Sequence, residues 1–371
     1  MKIPRLRFER RLSSPQWLQV AALVISLLLA MLTIAVIFYA LGVNPLIAFH
    51  RIFRGGFGSV YGLQETVTKS IPLMLAGVGL TLAFKGRMYN IGAEGQLFMG
   101  AIVASGLALK FPEWPAYILL PIMFLGGFLG GALWAAIPAI LKARFRVDEV
   151  LTSLMLVYVA SDAVKYLVYG PWRGTDTRGF PITNEFSAAA QLPRLIDSRI
   201  HYPTLILALL LAVLIYLLVA RTKLGYEIRV TGENPDAARY AGMNYQKIAL
   251  LVMLISGGLA GLAGVGEVAG IHFRLRPPEG ISPGYGFTAI IVAWLARLNP
   301  LAAILTAFLL GGLLVGGDAI QIALNLPAAT VQVFNGVILL FVIAGELFTR
   351  YRIRLEFHSI TAENAVSAEK I

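Results

Sequence analysis

Long apolar segments alternate with short polar ones along most of the chain. Several apolar segments reach the roughly 20 residues that an α-helix needs to cross the hydrocarbon core of a membrane. With 58% hydrophobic residues and a mean hydropathy of +0.75, the chain is predicted to be an all-α, polytopic transmembrane helical bundle. The pattern predicts about ten spans, at residues 17–42, 71–84, from within 90–96 to 109, 116–141, 150–169, 203–220, 248–269, 285–295, 301–315 and 328–348.

Lysine and arginine are unevenly distributed between the segments that connect these spans. Of 31 such residues, 20 fall in the end segments 1–16 and 349–371 and in alternate connections, whereas 10 fall in the other connections. Positive charge concentrates on the cytoplasmic side of membrane proteins. The pattern therefore predicts a transmembrane domain at 17–348 in the cell (inner) membrane, with both tails cytoplasmic. It also accounts for the net charge of +11 without nucleic acid.

The sequence lacks the residue patterns of an enzyme. It contains no cysteine, which excludes disulfides and thiolate catalysis. Its four histidines fall in predicted loops or tails, and it has no HExxH or GxxxxGK[ST] motif. We therefore expect no catalytic residue, no metal site and no cofactor in this chain, so that the energy for transport would come from a partner or from an ion gradient.

Two groups of spans share the same order of span lengths and turns. Spans 2 and 3 form a short span, a tight inside turn and a glycine-containing span, and spans 8 and 9 do the same. The ten spans then divide into a unit of spans 2–5 and a unit of spans 7–10, each preceded by one extra helix. Such internal repeats are common in transporters. Span 4 also contains Gly126/Gly130 and Gly127/Gly131, small-xxx-small pairs that permit close helix packing.

The long charged segment 221–247, between spans 6 and 7, contains a punctuated short helix. Asn234 is a suitable N-cap, Pro235 suits the first helical position, and Asp236 faces the positive end of the helix dipole. Gly242 is placed to end the helix. Residues 237, 238 and 241 form a small-residue face that a partner could cover. On these local features, a docking helix and an ordinary capped loop helix are both open.

Two strings in the chain resemble a known family. Residues 232–244, GENPDAARYAGMN, resemble the cytoplasmic coupling loop of bacterial ABC importer permeases for simple sugars, nucleosides and branched-chain amino acids. Residues 89–101, YNIGAEGQLFMGA, resemble the nucleoside-type permeases whose external receptors are basic membrane lipoproteins. The resemblance covers about 71–348. It implies an ATPase-coupling role for seven residues: Gly232, Asn234, Pro235, Asp236, Ala238, Arg239 and Gly242.

The resemblance also implies the partners. They are a separate ABC ATPase that holds ATP and Mg, a second and unlike permease subunit, an extracellular or periplasmic substrate-binding lipoprotein, and membrane lipid. The implied function is the translocation path for a nucleoside, in particular a purine nucleoside. A simple sugar is the alternative substrate.

Polar groups at membrane depth are costly and are therefore candidates for function. Asp148 and Glu149 fit the ordinary start of a helix, and Asp162 with Lys165 fits a local ion pair at i, i+3. We predict that Asp318, Gln321 and Asn325 lie in an outer loop. For Glu94, a gate or helix-positioning role is favoured over direct substrate contact. The candidate pathway or gate residues are Asn90, Glu94, Gln96, Tyr158, Glu267, Gln332 and Asn335.

Two other classes remain for comparison. An ion-coupled secondary transporter would use Glu94, Asp162 or Glu267 as ion sites, but it leaves the capped cytoplasmic helix without a task. An intramembrane enzyme would need paired catalytic groups at membrane depth, which the pattern lacks.

Overall fold

A computed structural model describes residues 2–10, 15–175, 177–196, 198–324, 326 and 329–359. It divides into two compact units, one formed by Leu46–Val331 and the other by Met1–Pro45 with Gln332–Ile371. The described residues form two strands, β1 at Lys2–Arg10 and β2 at Tyr351–Ser359, and fourteen α-helices. The helices are α1 Gln16–Ala40, α2 Pro45–Phe57, α3 Val60–Lys85, α4 Ala93–Lys110, α5 Ala116–Phe145, α6 Glu149–Tyr169, α7 Tyr202–Arg221, α8 Lys223–Glu233, α9 Pro235–Tyr240, α10 Tyr245–Gly266, α11 Pro278–Ile281, α12 Tyr285–Leu295, α13 Pro300–Leu324 and α14 Ala329–Arg350.

Each of the ten predicted spans corresponds to one helix. In the described part of the chain, seven helices are long and apolar enough to cross a membrane, and shorter apolar helices lie at Tyr285–Leu295 and Gln332–Gly345. The all-α, polytopic prediction is therefore confirmed. The two strands were not predicted, although the alternation of charged and apolar residues at 352–357 is a period-two signal.

Two predicted boundaries were wrong. Span 2 was placed at 71–84, but α3 begins at Val60, and span 9 was ended at 315, but α13 continues to Leu324. Asp318 and Gln321 therefore lie in a helix rather than in a loop, and Asn325 lies outside the described residues. The hydropathy pattern predicted spans that are too short, because polar residues near these helix ends are paired within the protein. Lys69 of α3, for example, pairs with Asp318 of α13.

The core of the larger unit is built on α3 and α10, which are buried along most of their length. Glycines bring α5 and α10 into backbone contact. A Cβ atom added to Gly131 would lie 2.2 Å from the Gly257 carbonyl oxygen, and one added to Gly261 would lie 2.2 Å from that of Gly127. The predicted close packing of Gly127 and Gly131 is thus present.

The helix contacts of the larger unit follow the predicted repeat. α10 packs on α5 and on α4, while α3 packs on α13 and on α12. Exchanging α3 with α10, α4 with α12 and α5 with α13 converts the first set of contacts into the second. The pattern of contacts therefore supports two related halves.

In the smaller unit, α1 and α14 pack through aromatic and small residues. The rings of Phe38 and Phe334 meet edge to face with centroids 4.9 Å apart, and Gly345 fits against Ser26. β1 and β2 pair antiparallel, from Lys2 opposite Ser359 to Arg10 opposite Tyr351. This pairing holds the two ends of the described chain together.

Candidate functional site

The segment between α7 and α10 contains two capped helices rather than one. The Thr222 hydroxyl accepts a hydrogen bond from the Gly225 amide at 3.0 Å and starts α8. The Asn234 side chain accepts bonds from the Asp236 and Ala237 amides, both at 3.1 Å, and starts α9. Gly242 has φ +75°, a conformation that favours glycine. The predicted cap and stop of the short helix are confirmed; α8 was not predicted.

The inner and outer faces of α9 differ from the sequence-based expectation. Ala238, which we expected on the docking face, is only 2% exposed and packs inside the chain. Asp236, Ala237 and Arg239 face outward, and Tyr240 is 94% exposed. Sequence reasoning missed Tyr240, although a large aromatic residue in a polar loop helix is itself a signal. A partner would meet this tyrosine and not the alanine.

The segment 221–247 is attached directly to the end of α3. A Cβ atom at Gly232 would lie 1.9 Å from the Lys85 carbonyl oxygen, so only glycine allows this approach. The Arg87 guanidinium donates to the Glu233 carbonyl at 3.4 Å. Motion of α8 and α9 would therefore be felt at the turn between α3 and α4.

A groove of about 560 Å³ lies beside α9 at the same end of the unit. Its lining includes Lys142, Arg146 and Arg239, which make it basic. Glu149 offsets part of this charge through a 2.6 Å ion pair with Lys142. Arg239 of α9 also lines the groove, so the groove and the exposed face of α9 form one continuous surface, which we call the α9 surface (Lys142, Arg146, Asp236, Arg239, Tyr240).

Asn90 and Gln96 form a closed amide pair just before and within the first turn of α4. Each donates to the other, at 2.8 and 2.7 Å, and Asn90 also donates to the Ser256 hydroxyl of α10 at 3.1 Å. The Ser153 hydroxyl of α6 accepts from the Ile91 amide at 3.2 Å. This cluster is fully buried and holds the start of α4 to two neighbouring helices. The two serines were not predicted.

Glu94 joins the beginnings of α4 and α12. Its carboxyl group accepts a 2.5 Å hydrogen bond from the Gly286 amide. α12 has eleven residues, a length of about 16 Å, which is about half of a 30 Å hydrocarbon core. Glu94 of α4 therefore caps the half-length helix α12 in the other half of the unit, and its role as a gate stays a prediction.

A cavity of about 110 Å³ lies at the opposite end of the unit, which we call the distal end. Glu65 pairs with Arg199 at 3.2 Å, and Glu267 lies 3.6 Å from the His272 ring nitrogen. Tyr285, the first residue of α12, also lines the cavity. Glu267, one of the candidate pathway or gate residues, is therefore buried beside charged side chains at this end.

The 170–201 loop covers this distal cluster. Arg194 donates to the carbonyl oxygens of Gly270 and Ile271, at 2.8 and 3.0 Å, within a π-helical turn at Glu267–His272 that extends α10. Burial and the nearby Arg194 lower the pKa of His201 to about 4. The His201 ring is therefore neutral at pH 7, and its carbon atoms lie against Gly270.

Three candidate pathway residues do not join these clusters. Tyr158 points outward from α6 and is 61% exposed. Gln332 and Asn335 belong to the smaller unit, where Gln332 is exposed and Asn335 is half-buried. Asp162 and Lys165 form the predicted local pair, with 3.3 Å between their charged atoms.

The described residues form a multi-pass bundle of apolar helices, with the half-length helix α12 buried inside the larger unit and a capped helical segment between α7 and α10. The chain belongs to the family described as branched-chain amino acid transport system / permease component, which matches residues 62–343. It is the membrane component of a transport system.

Three relatives are informative. The chain is 38% identical to the glucose ABC transporter permease protein TsgB13 of Haloferax volcanii, over 95% of this chain and 94% of the relative. It is 34% identical to the guanosine ABC transporter permease protein NupP of Bacillus subtilis, over 86% and 91%. A second guanosine permease protein of that organism, NupQ, is 27% identical over 67% and 79%.

Proposed function

We propose that this chain forms part of the translocation path of an ABC importer for nucleosides. A separate ATPase supplies the energy and docks on the α9 surface. The observation that carries this proposal is the capped helix α9, which exposes Tyr240 almost completely beside a basic groove. An ion-coupled transporter would have no use for such a surface.

The partner permease is proposed to be unlike this chain. Bacillus subtilis has two guanosine permease proteins, NupP and NupQ, and this chain is more similar to the first. A pair of related but different subunits explains that difference. The importer would then be a heterodimer of permeases, with a substrate-binding lipoprotein delivering substrate at the distal end.

The substrate class rests on the relatives and on the YNIGAEGQLFMGA string at 89–101. Guanosine relatives and the nucleoside-type string favour a purine nucleoside. A simple sugar is the second candidate, because TsgB13 is named as a glucose permease and is 38% identical. Both substrates carry a hydroxylated ring.

Reconstitution tests this proposal directly. The purified chain alone should hydrolyse no ATP, whereas proteoliposomes with the second permease, the ATPase and the receptor should import guanosine only with ATP. Glucose import in the same vesicles would favour the second candidate. Uptake driven by an ion gradient without the ATPase would contradict an ABC importer, as would ATP hydrolysis by the isolated chain.

Both ends of the chain are proposed to lie in the cytoplasm. The excess of Lys and Arg on that side supports this orientation, and so does the pairing of β1 with β2, which holds the two ends together.

Cysteine labelling tests the orientation, and the native chain contains no cysteine. The Ala188→Cys variant, at an exposed site of the 170–201 loop, should react with an impermeant thiol reagent in intact cells. The Lys223→Cys variant, at a 91% exposed side chain of α8, should react only after the cells are opened. The reverse pattern would invert the topology.

A further inference from the structure

α6 has two chemically different faces. The inner face is buried against α4 and α5 and carries small and apolar residues at helical spacing. Its members are Ser153, Val157, Ala160, Val164 and Val168. The outer face carries the exposed side chains of α6, and it is this face that is unusual for a membrane-spanning helix.

The outer face of α6 carries a polar stripe, which we define as Tyr158, Asp162 and Tyr166. These residues recur every four positions and so lie along one side of the helix. Tyr158 and Tyr166 are 61% and 72% exposed, and the Asp162 side chain is 75% exposed. With a rise of 1.5 Å per residue, Tyr158 lies about 14 Å and Asp162 about 20 Å along a helix of about 31 Å. The stripe therefore reaches the middle of the span.

α7 shows what a lipid-facing helix of this chain looks like. Between Ile206 and Leu214, every exposed side chain is aliphatic. Such a surface suits hydrocarbon, whereas a carboxylate and phenol hydroxyls do not. Intramembrane ionisable residues generally face protein or a water-filled cavity. The contrast between α6 and α7 indicates that the stripe faces water or protein and not lipid.

The ion pair with Lys165 does not make Asp162 suitable for contact with lipid. Its ammonium lies 3.3 Å from Asp162, but its side chain is itself 45% exposed, so the pair as a whole remains open. A pair in lipid would keep both charges poorly solvated. A pair at the edge of an aqueous path is solvated, and its carboxylate is available to a ligand.

We propose that the stripe Tyr158, Asp162 and Tyr166 lines the translocation path and contacts the substrate during passage; this rests on the proposed function. The ligand chemistry is a ring with apolar faces and hydrogen-bond donors on its edge. A tyrosine ring packs against the face of such a ligand, and a carboxylate accepts two donors at once. Tyr158 and Asp162 are about 6 Å apart along the helix, a separation that one ring can bridge.

Water accessibility is the first test, in proteoliposomes that contain the complete complex. The Tyr158→Cys and Tyr166→Cys variants should react with a water-soluble thiol reagent at least ten times faster than Val213→Cys. Val213 is exposed at matching depth on α7 and serves as the lipid-facing control. Substrate in excess should slow the reaction at the stripe only. Equal reactivity of both stripe variants and the control would overturn the proposal.

Transport kinetics form the second test. Asp162→Asn should raise the KM for uptake at least tenfold, whereas Lys165→Gln, which breaks the same ion pair, should change KM less than twofold. Equal effects of the two variants would show that only the pair matters and would overturn the substrate contact. Arms with guanosine and with glucose identify whether a nucleobase or a sugar ring supplies the donors.

The two proposals fail in different ways. A wild-type complex that imports neither substrate would contradict the proposed function, and thiol accessibility would still decide whether the stripe faces water. A wild-type complex that imports guanosine or glucose, with unchanged KM in Asp162→Asn, would contradict the stripe alone.

Discussion

Replacing Tyr240 with alanine is expected to lower ATPase binding about 30-fold and to reduce transport in parallel. Tyr240 is the most exposed large side chain of α9, and truncation of a buried interface tyrosine typically costs about 2 kcal/mol, which corresponds to about 30-fold in affinity. The fold should survive, because the side chain makes little contact within the chain. Co-purification of the ATPase and ATP-dependent uptake measure the effect.

Tyr117→Ala is the matched control for Tyr240→Ala. Tyr117 is similarly exposed but lies in the first turn of α5, at the distal end, so its loss should leave ATPase binding unchanged. Ala238→Glu should behave differently from both, because it places a charge at a buried position and should disturb the helix itself. Normal uptake and normal ATPase retention in Tyr240→Ala would show that α9 is not the docking element.

Replacing Glu94 with alanine is expected to destabilise the permease by about 2–3 kcal/mol. The change leaves the Gly286 amide without its 2.5 Å acceptor, and an unsatisfied buried donor costs about 1–3 kcal/mol, or more when the partner is charged. The apparent melting temperature in detergent should fall by roughly 5 °C, given about 2–4 °C per kcal/mol for domains of this order of size. Uptake should fall with it, because α12 loses its cap.

The Glu94→Gln variant distinguishes the contribution of the helix cap to stability from the contribution of side-chain packing. Glutamine keeps the shape and one acceptor oxygen, so it should recover part of the lost stability. The Gly286→Val variant should disrupt the same contact from α12, since a Cβ atom there would lie 2.2 Å from the Glu94 amide nitrogen. Glu113→Gln, at an exposed loop position, should be neutral. A melting temperature for Glu94→Ala within 1 °C of that of the native chain would show that this cap contributes little.

Local sequence accounted well for features that depend on neighbouring residues. The cap at Asn234, the positive φ of Gly242, the glycine contact of α5 and the ten apolar helices all follow from chemistry within a few positions. The ends of α3 and α13 did not follow from it. Their polar residues are stabilised by partners far along the chain, as with Lys69 and Asp318, and hydropathy cannot count such partners.

The orientation of α9 shows the same limit. Six residues specify a capped helix, but its small and large faces are both consistent with an interface. The packing of α8 and α9 on the rest of the larger unit decides that Ala238 points inward and Tyr240 outward. A side chain can contact a partner only if its face of the helix is not already packed against the rest of the chain.

The sequence by itself determined the class of fold, the positions of the ten apolar helices and the position of the capped segment 221–247, because hydropathy, charge and caps are local quantities. Only the tertiary structure decided that Glu94 caps α12, that Glu267 belongs to a buried charged cluster, and that Tyr158 lies on an open face. Each of these features depends on whether residues that are distant in sequence pack against the side chain. Periodicity along one helix says which residues share a face, but burial of that face depends on the helices that pack against it.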